Sequence, residues 1–459
     1  MVPTSFVVLL LPLLVGSASG ISCLDNDGKP VDWWFQYKMP GTYAFAYADP
    51  GTSLAKQAPM AMHPRAMNDT ANPVALVRTL YSLAEHAAAV RPYNGTAAGA
   101  PSYFLYNDEP DVGSAAPPSY GHSKGVVAAG GEARSGLWIV HSTPKFPASS
   151  GRAEWYFPER ELKFGQTFLC LSLGSAAQLD AVGAQLQLTR PFVYHATNIF
   201  AAPGNGSKPG PGGGGTGGGT GGGEQQPGDA AAAAGYPELA KVLRGEWRAG
   251  TGVAQLNAQG SNSSVATTFT SLAKSKEWDG DLYEGLVAPH YRSGFLVESW
   301  IRGDRLGKYC PNARAKSSRH PYEVVDAKTM RVTLPTGQNR TWTETQDHAK
   351  WAVSLDNSDV VCVGDINRMS SQRKRGGGAV CFANKDLCFS LYNTIMTSDT
   401  CGKGADDDDD DSADADDDAS NSTVAGARGN GRAAIRGARV KAAKAFSDAP
   451  ETAQSGGEG

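Results

Sequence analysis

The chain has 459 residues, 41% of them apolar, and a formal net charge of −4 at pH 7. The tail 402–459 holds 13 acidic and 7 basic residues, net −6, which leaves +2 on the remainder together with all eight histidines. No run approaching about 18 uninterrupted apolar residues follows the first 20, so no membrane-spanning helix is expected there.

In chain order, residues 1–20 read as a secretory signal: Phe6–Val15 is a short apolar core, and Ala18-Ser19-Gly20 supplies the small residues of a cleavage site. The route this implies is the secretory pathway, ending in a lysosome, another acidic vacuole or the extracellular space. Residues 21–202 form a first globular half. Within it Asn72-Pro73 is a helix start followed by Leu76, Leu80, Leu83 and Ala87 at helical spacing. Leu137–Val140 and Thr167–Leu171 are apolar runs short enough for buried strands. Residues 203–235 read as a linker insertion, with 11 glycines among Gly210–Gly223 and an alanine run at Ala230–Ala234. Residues 236–401 form a second half, with strand candidates at Phe295–Val297 and Val360–Val363. In the tail, Asp406–Asp411 and Asp416–Asp418 repel one another, and a basic stretch runs from Arg432 to Lys444; a disordered extension is expected. The pattern predicts mixed α/β structure, a sandwich of sheet and helices, either as two halves or as one two-lobed domain.

Sequons at Asn68, Asn94, Asn205, Asn262, Asn339 and Asn421 suit a lumenal route, with Asn68, Asn94 and Asn339 the candidates for glycosylation. Seven cysteines without a Cys-x-x-Cys zinc spacing point to disulfides, and the odd count leaves one thiol over. Sequence spacing leaves the pairing open.

The chemistry concentrates in a repeated tripeptide, His-x-Lys, at His122-Ser123-Lys124 and His348-Ala349-Lys350. One copy lies in each half, at similar depth. An imidazole can attack phosphorus or move a proton, and a neighbouring ammonium holds phosphate oxygens. Two copies would supply a nucleophile and a general acid for one scissile bond without a metal or another cofactor. Histidines that charge below about pH 6 also favour a polyanionic partner in an acidic compartment.

The segments around these motifs resemble the deoxyribonuclease II family. They are Pro30–Lys38, Tyr106–Pro110, Gly121–Val126, Gly136–Pro147, Gly165–Cys170, Asp281–Tyr283, Asp347–Trp351, Cys362–Arg368 and Arg375–Gly378, in family order over 21–202 and 236–401. The resemblance implies a phospholipase D-like fold: a pseudo-twofold duplicated α-β-α sandwich of two lobes with the active site between them. It implies acid, metal-independent hydrolysis of DNA to 3′-phosphate and 5′-hydroxyl ends through a phosphohistidine. His348 ranks first among the catalytic residues, then His122; which of them attacks stays open. Lys124 and Lys350 would steady the phosphate oxygens, and His141, closing a strand, is a further catalytic candidate.

Asn367 and Asp365 would orient the phosphate or a catalytic group, or else cap a strand-to-turn junction. Arg368, Arg373, Lys374 and Arg375 form a basic cluster for phosphates beyond the cut, or a solvated loop. Trp33, Trp34 and Trp351 would stack on bases or fill the core. The resemblance also implies the disulfides Cys23–Cys170, Cys310–Cys401 and Cys362–Cys381, with Cys388 outside them. Ala352 stands where the family commonly has cysteine, and neither the glycine run nor the tail has a family counterpart. Competing readings are another phosphodiesterase, acting on RNA or a phospholipid headgroup, and a non-catalytic secreted DNA-binding protein.

Overall fold

The computed structural model describes residues 20–52, 59–89, 101–130, 135–149, 155–201, 226–259, 266–311, 320–356 and 358–401. The leader, the glycine run, the tail and the sequons at Asn94, Asn205, Asn262 and Asn421 lie outside the described residues; Asn68 and Asn339 are exposed.

The first half contributes strands β1 (Cys23–Leu24), β2 (Pro30–Val31), β3 (Trp33–Lys38), β4 (Phe45–Ala48), β5 (Ser102–Asn107), β6 (Lys124–Ala129), β7 (Gly136–His141), β8 (Gln166–Leu173) and β9 (Val193–Ala196). Its helices are α1 (Ala75–Ala89) and α2 (Ala176–Thr189). Helices α3 (Asp229–Ala233) and α4 (Pro237–Leu243) follow. The second half adds β10 (Thr251–Ala258), β11 (Thr267–Lys274), α5 (Ala288–Tyr291), β12 (Phe295–Glu298), β13 (Val324–Thr333), β14 (Asn339–Thr343), β15 (Trp351–Ser354) and β16 (Val360–Gly364). It ends with α6 (Ser370–Arg373), β17 (Gly377–Ala383), α7 (Lys385–Thr394) and β18 (Ile395–Ser398).

Apart from the β1–β2 pair, the described strands join one mixed α/β sheet, ordered β14-β13-β12-β15-β16-β17-β11-β10-β8-β7-β6-β5-β9 along its main path. The β3–β4 hairpin attaches through β3 to β8, and β18 attaches to β13. The succession β3-β8-β7-β6-β5 in the first half recurs as β11-β17-β16-β15-β12 in the second. In both, a helix follows the strand that pairs with the first: α2 after β8, and α7 after β17.

Strand β3 shows how the sequence builds the layers. Trp33, Phe35 and Tyr37 enter one apolar cluster and Trp34 the other, the period-two alternation of a strand buried on both faces. The first cluster draws on both halves: Trp33 packs 4.8 Å from Phe382, beside Phe269. All three tryptophans considered for base stacking, Trp33, Trp34 and Trp351, are core residues with 2% exposure or less.

Helix α1 covers the second face with Leu76, Leu80 and Leu83, as their spacing predicts. The Ala230–Ala234 stretch is not the spacer it resembles. Alanine is the best helix former, and here it builds α3 with Ala231 fully buried. Helix α4 then packs back on α2, where Asp180 Oδ1 accepts the N–H groups of Glu238 and Leu239 at 2.8 and 3.0 Å. Cys23–Cys170, Cys310–Cys401 and Cys362–Cys381 are disulfide-bonded, and the buried Cys388 takes no part in a disulfide. No helix among the described residues is long and apolar enough to cross a membrane.

Candidate active site

His122 and His348 occupy equivalent places, each just before the strand that carries its lysine or follows it: β6 after His122, β15 after His348. Their main chains are held reciprocally. The His122 N–H donates to the Gly376 carbonyl at 2.8 Å, and the His348 N–H donates to the Gly165 carbonyl at 2.9 Å. Each histidine is thus fastened to a glycine in the opposite half. Both glycines are required by close approach. A Cβ on Gly165 would fall 2.1 Å from Asp347 Oδ1, and one on Gly376 would fall 2.3 Å from the Thr189 carbonyl. Asp347, the first residue of its motif, is a scaffold. It takes hydrogen bonds from Tyr37, from Trp342 at 2.8 Å and from the Ala349 N–H at 2.9 Å.

The side-chain surroundings differ. His122 Nδ1 lies 2.7 Å from the Asp365 carbonyl, which only accepts, so Nδ1 carries the proton and Nε2 presents a lone pair. Nε2 lies 3.9 Å from Asp108 Oδ2, and Asp108 is also paired with Lys124 and, at 3.1 Å, with Arg375. His348 sits instead among rings. Phe164 stacks on it at 3.9 Å and 12°, and Trp300 lies at 3.9 Å and 55°. Its Nδ1 faces the Gln166 amide nitrogen at 3.5 Å, and Gln166 in turn accepts from Ser142 Oγ at 2.5 Å. Ser142 Oγ accepts from the Thr167 N–H at 3.0 Å, which fixes the direction of the chain and leaves the proton of a neutral His348 on Nε2. That Nε2 has no hydrogen-bond partner among the described residues. Lys350 Nζ donates to the His348 carbonyl at 2.7 Å, holding the ammonium beside the ring it follows.

The site is cationic and buried, and its titrations follow from that. Burial, then Lys350, Lys124 and His122, pushes His348 down to about 2. Burial, then Lys124, pushes His122 down to about 3 against the pull of Asp108. Burial raises the Asp365 carboxyl to about 7 and lowers Lys350 to about 7. Burial also opposes ionisation of Asp108, but Lys124 and His122 outweigh it and hold this carboxylate below its usual range.

The remaining candidates divide. His141 closes β7 with Nδ1 accepting from the Thr143 N–H at 3.2 Å; its Nε2 lacks a hydrogen-bond partner among the described residues, and burial followed by the Lys124 charge lowers the imidazole to about 3. Asn367 is buried, and its Oδ1 has no partner among the described residues. Asp365 meets His122 through its carbonyl while its carboxylate accepts from the Gly378 N–H at 3.1 Å. Arg375 reaches Asp108 from the second half. Arg368 is not brought to the site. It is 1% exposed and sits between Asp281, at 2.8 Å, and Asp326, at 2.7 Å, an internal ion-pair cluster in place of a phosphate contact.

Sequence reasoning passed over Asp108, Gln166, Phe164 and Trp300. Only Asp108 and Gln166 carried a signal, their place at strand ends next to the motifs. Among the described residues no group of three or more His, Cys, Asp or Glu is placed to hold a metal ion.

Each half of the one sheet thus contributes an imidazole and an ammonium, each histidine anchored on a glycine of the other half. The Deoxyribonuclease II family model matches residues 22–206 and 225–401, breaking at the glycine run, and the chain belongs to that family. It is similar to Plancitoxin-1 of Acanthaster planci, 29% identical over 86% of this chain and 96% of the relative. It is equally similar to Deoxyribonuclease-2 of Caenorhabditis elegans, 29% identical over 87% and 99%. Deoxyribonuclease-2-alpha of Rattus norvegicus is 29% identical over 86% and 98%.

Proposed function

We propose that the chain is an acid endodeoxyribonuclease that hydrolyses DNA without a metal, leaving 3′-phosphate and 5′-hydroxyl ends. The observation that carries this reading is the reciprocal pairing of His122 and His348 with Gly376 and Gly165; a shared site is further supported by the charge effects of Lys124 and His122 on His348 and of Lys350 on His122. His122 Nε2, with Nδ1–H secured on the Asp365 carbonyl, attacks phosphorus. His348, protonated, gives its Nε2 proton to the leaving 5′-oxygen as the P–O bond breaks. Water then attacks the phosphohistidine, His348 takes a water proton, and the P–N bond breaks to free the 3′-phosphate. Lys124, Lys350 and Arg375 stabilise charge on the non-bridging oxygens. Protonating His348 at Nδ1 requires the Gln166 amide to turn its oxygen to the ring, which the Ser142 hydroxyl accommodates by accepting from the amide nitrogen.

Acid operation follows from the cationic site. The free enzyme keeps both imidazoles neutral, and only a phosphodiester anion together with low pH returns a proton to His348. The sheet itself reads as a duplicated, phospholipase D-like unit, with 21–202 and 236–401 as its lobes; the recurring strand order supports this. Three disulfides support passage through the secretory pathway.

The test is plasmid nicking across pH with EDTA present, alongside cleavage of RNA and phosphatidylcholine. Wild type should nick DNA with an acidic optimum, and His122→Ala or His348→Ala should lose at least about a thousandfold. Nicking that disappears in EDTA and returns with magnesium would overturn the metal-free route. Binding of DNA at pH 5 without cleavage would make the protein a DNA-binding module.

A further inference from the structure

Lys38 and Lys274 are fully buried lysines at the last positions of β3 and β11, equivalent strands of the two halves. Their registers match as well: Lys38 stands opposite Gln166 of β8, and Lys274 opposite Gly377 of β17. Each ammonium ends among three main-chain carbonyls of the segment that leads into the neighbouring strand. Lys38 donates to Glu161, Leu162 and Phe164. Lys274 donates to Gln372 at 3.4 Å and to Arg373 and Arg375 at 2.7 Å each. An aromatic ring backs each cation, Phe157 at 4.8 Å and Trp278 at 5.9 Å.

The two gripped loops are those that hold the histidines of the opposite half. The 161–164 loop delivers the Gly165 carbonyl to the His348 N–H and lays the Phe164 ring on the His348 imidazole. The 372–375 segment, the end of α6 and the turn after it, delivers the Gly376 carbonyl to the His122 N–H and the Arg375 guanidinium to Asp108. Taking His122 and His348 as the reacting groups, we propose that Lys38 and Lys274 are positioning residues that act crosswise: Lys38 of the first half sets His348, and Lys274 of the second half sets His122. Three converging carbonyl oxygens need a three-donor cation, which an uncharged side chain of the same length cannot supply.

The device is also tuned to acid. Burial lowers Lys38 to about 7, opposed by Asp347 and Glu161 and assisted by Arg340. Burial lowers Lys274 to about 8, opposed by Asp281 and Asp279 and assisted by Arg373. Below these values each ammonium has its full set of donors; above them two N–H groups must serve three carbonyls, and the loops loosen.

The experiment uses full-length Lys38→Met and Lys274→Met proteins with histidines labelled at Cε1, their resonances assigned through His122→Ala and His348→Ala. Lys38→Met should shift the His348 resonance and leave that of His122, and Lys274→Met should do the reverse. In each, kcat should fall about tenfold to a hundredfold with KM little changed, the loss expected from misplacing a reacting group. Shifts on the same-half histidine, on both equally or on neither would overturn the crosswise assignment. Full activity of both variants would overturn it too. Nicking that survives in the two alanine variants would sink the catalytic reading instead, which separates the two failures. Should the methionine variants not fold, the wild type decides. Three lysine ¹⁵Nζ signals should titrate near pH 7 to 8; with that of Lys350 identified by its loss in Lys350→Met, the other two should show slowed proton exchange, and ordinary lysine behaviour at both of them would overturn the proposal.

Discussion

The same residue type performs different work according to what surrounds it, and the histidines make this measurable. Folding holds His122 at about 3, His141 at about 3 and His348 at about 2, against an ordinary value near 6.5. Because the folded values are the lower ones, the unfolded chain binds protons first as pH falls. The histidines' contribution to stability is therefore complete above about pH 6.5 and declines below it, by up to about 1.4 kcal/mol per pH unit for each histidine that stays neutral. An anion at the site reverses this by letting a histidine charge in the folded state. We expect inorganic phosphate to raise the thermal midpoint at pH 4.5 more than at pH 7.5 in wild type, and much less in Lys124→Met. An equal rise at both pH values would show that phosphate does not engage the imidazoles. Arg368 gives the complementary case. Replacing it with methionine strands Asp281 and Asp326 as unpaired buried carboxyls, at a cost of about 3–5 kcal/mol. Urea unfolding should register that loss while activity per folded molecule stays near wild type; a raised KM for DNA with unchanged stability would restore the phosphate-binding role.

At the scale of elements, short apolar runs were legible because a fully buried strand needs nothing else: Leu137–Val140, Thr167–Leu171, Phe295–Val297 and Val360–Val363 all lie in strands. Helix α1 was legible from Leu76, Leu80 and Leu83, though it starts at Ala75, two residues beyond Pro73. Arg368 and Arg375 read alike in sequence, seven positions apart in one basic loop. What separates them is that Asp281 and Asp326 arrive from distant elements to take up the first, a tertiary fact without a local signal. Lys38 and Lys274 were hidden for the same reason, each looking like a strand-end lysine bound for solvent.

The Cys362–Cys381 disulfide shows an element constraining the site. It joins neighbouring β16 and β17 and closes the segment that carries Asp365, Asn367 and Arg375. Replacing both cysteines with alanine should cost about 2–4 kcal/mol in urea unfolding, with faster amide exchange concentrated in 365–376. A loss below about 1 kcal/mol would mean that the strand ladder alone holds that segment.

At the scale of the whole molecule, the two halves are joined by more than the chain that links them. One apolar cluster contains Trp33 and Leu171 from the first half and Phe269 and Phe382 from the second. Strand β10 meets β8 at Ala258 and Leu173, which makes the sheet continuous across the junction. Arg375 crosses to Asp108, and the histidine anchors cross in both directions. No disulfide crosses: Cys23–Cys170 lies within the first half, and the other two lie within the second. The halves must therefore be held by burial, hydrogen bonding and the Arg375–Asp108 ion pair, and the segment 207–224 that the family match skips should be dispensable as a covalent link once folding is complete. A protease site placed between Gly210 and Gly223 tests this. After cutting, the two fragments should co-elute at the size of the uncut protein under non-reducing, native conditions. They should also nick plasmid within about twofold of the intact enzyme, because every group assigned to the reaction keeps its partner across the junction. Separation of the fragments, or loss of nicking while they stay together, would show that the histidines depend on chain connection rather than on each other's half.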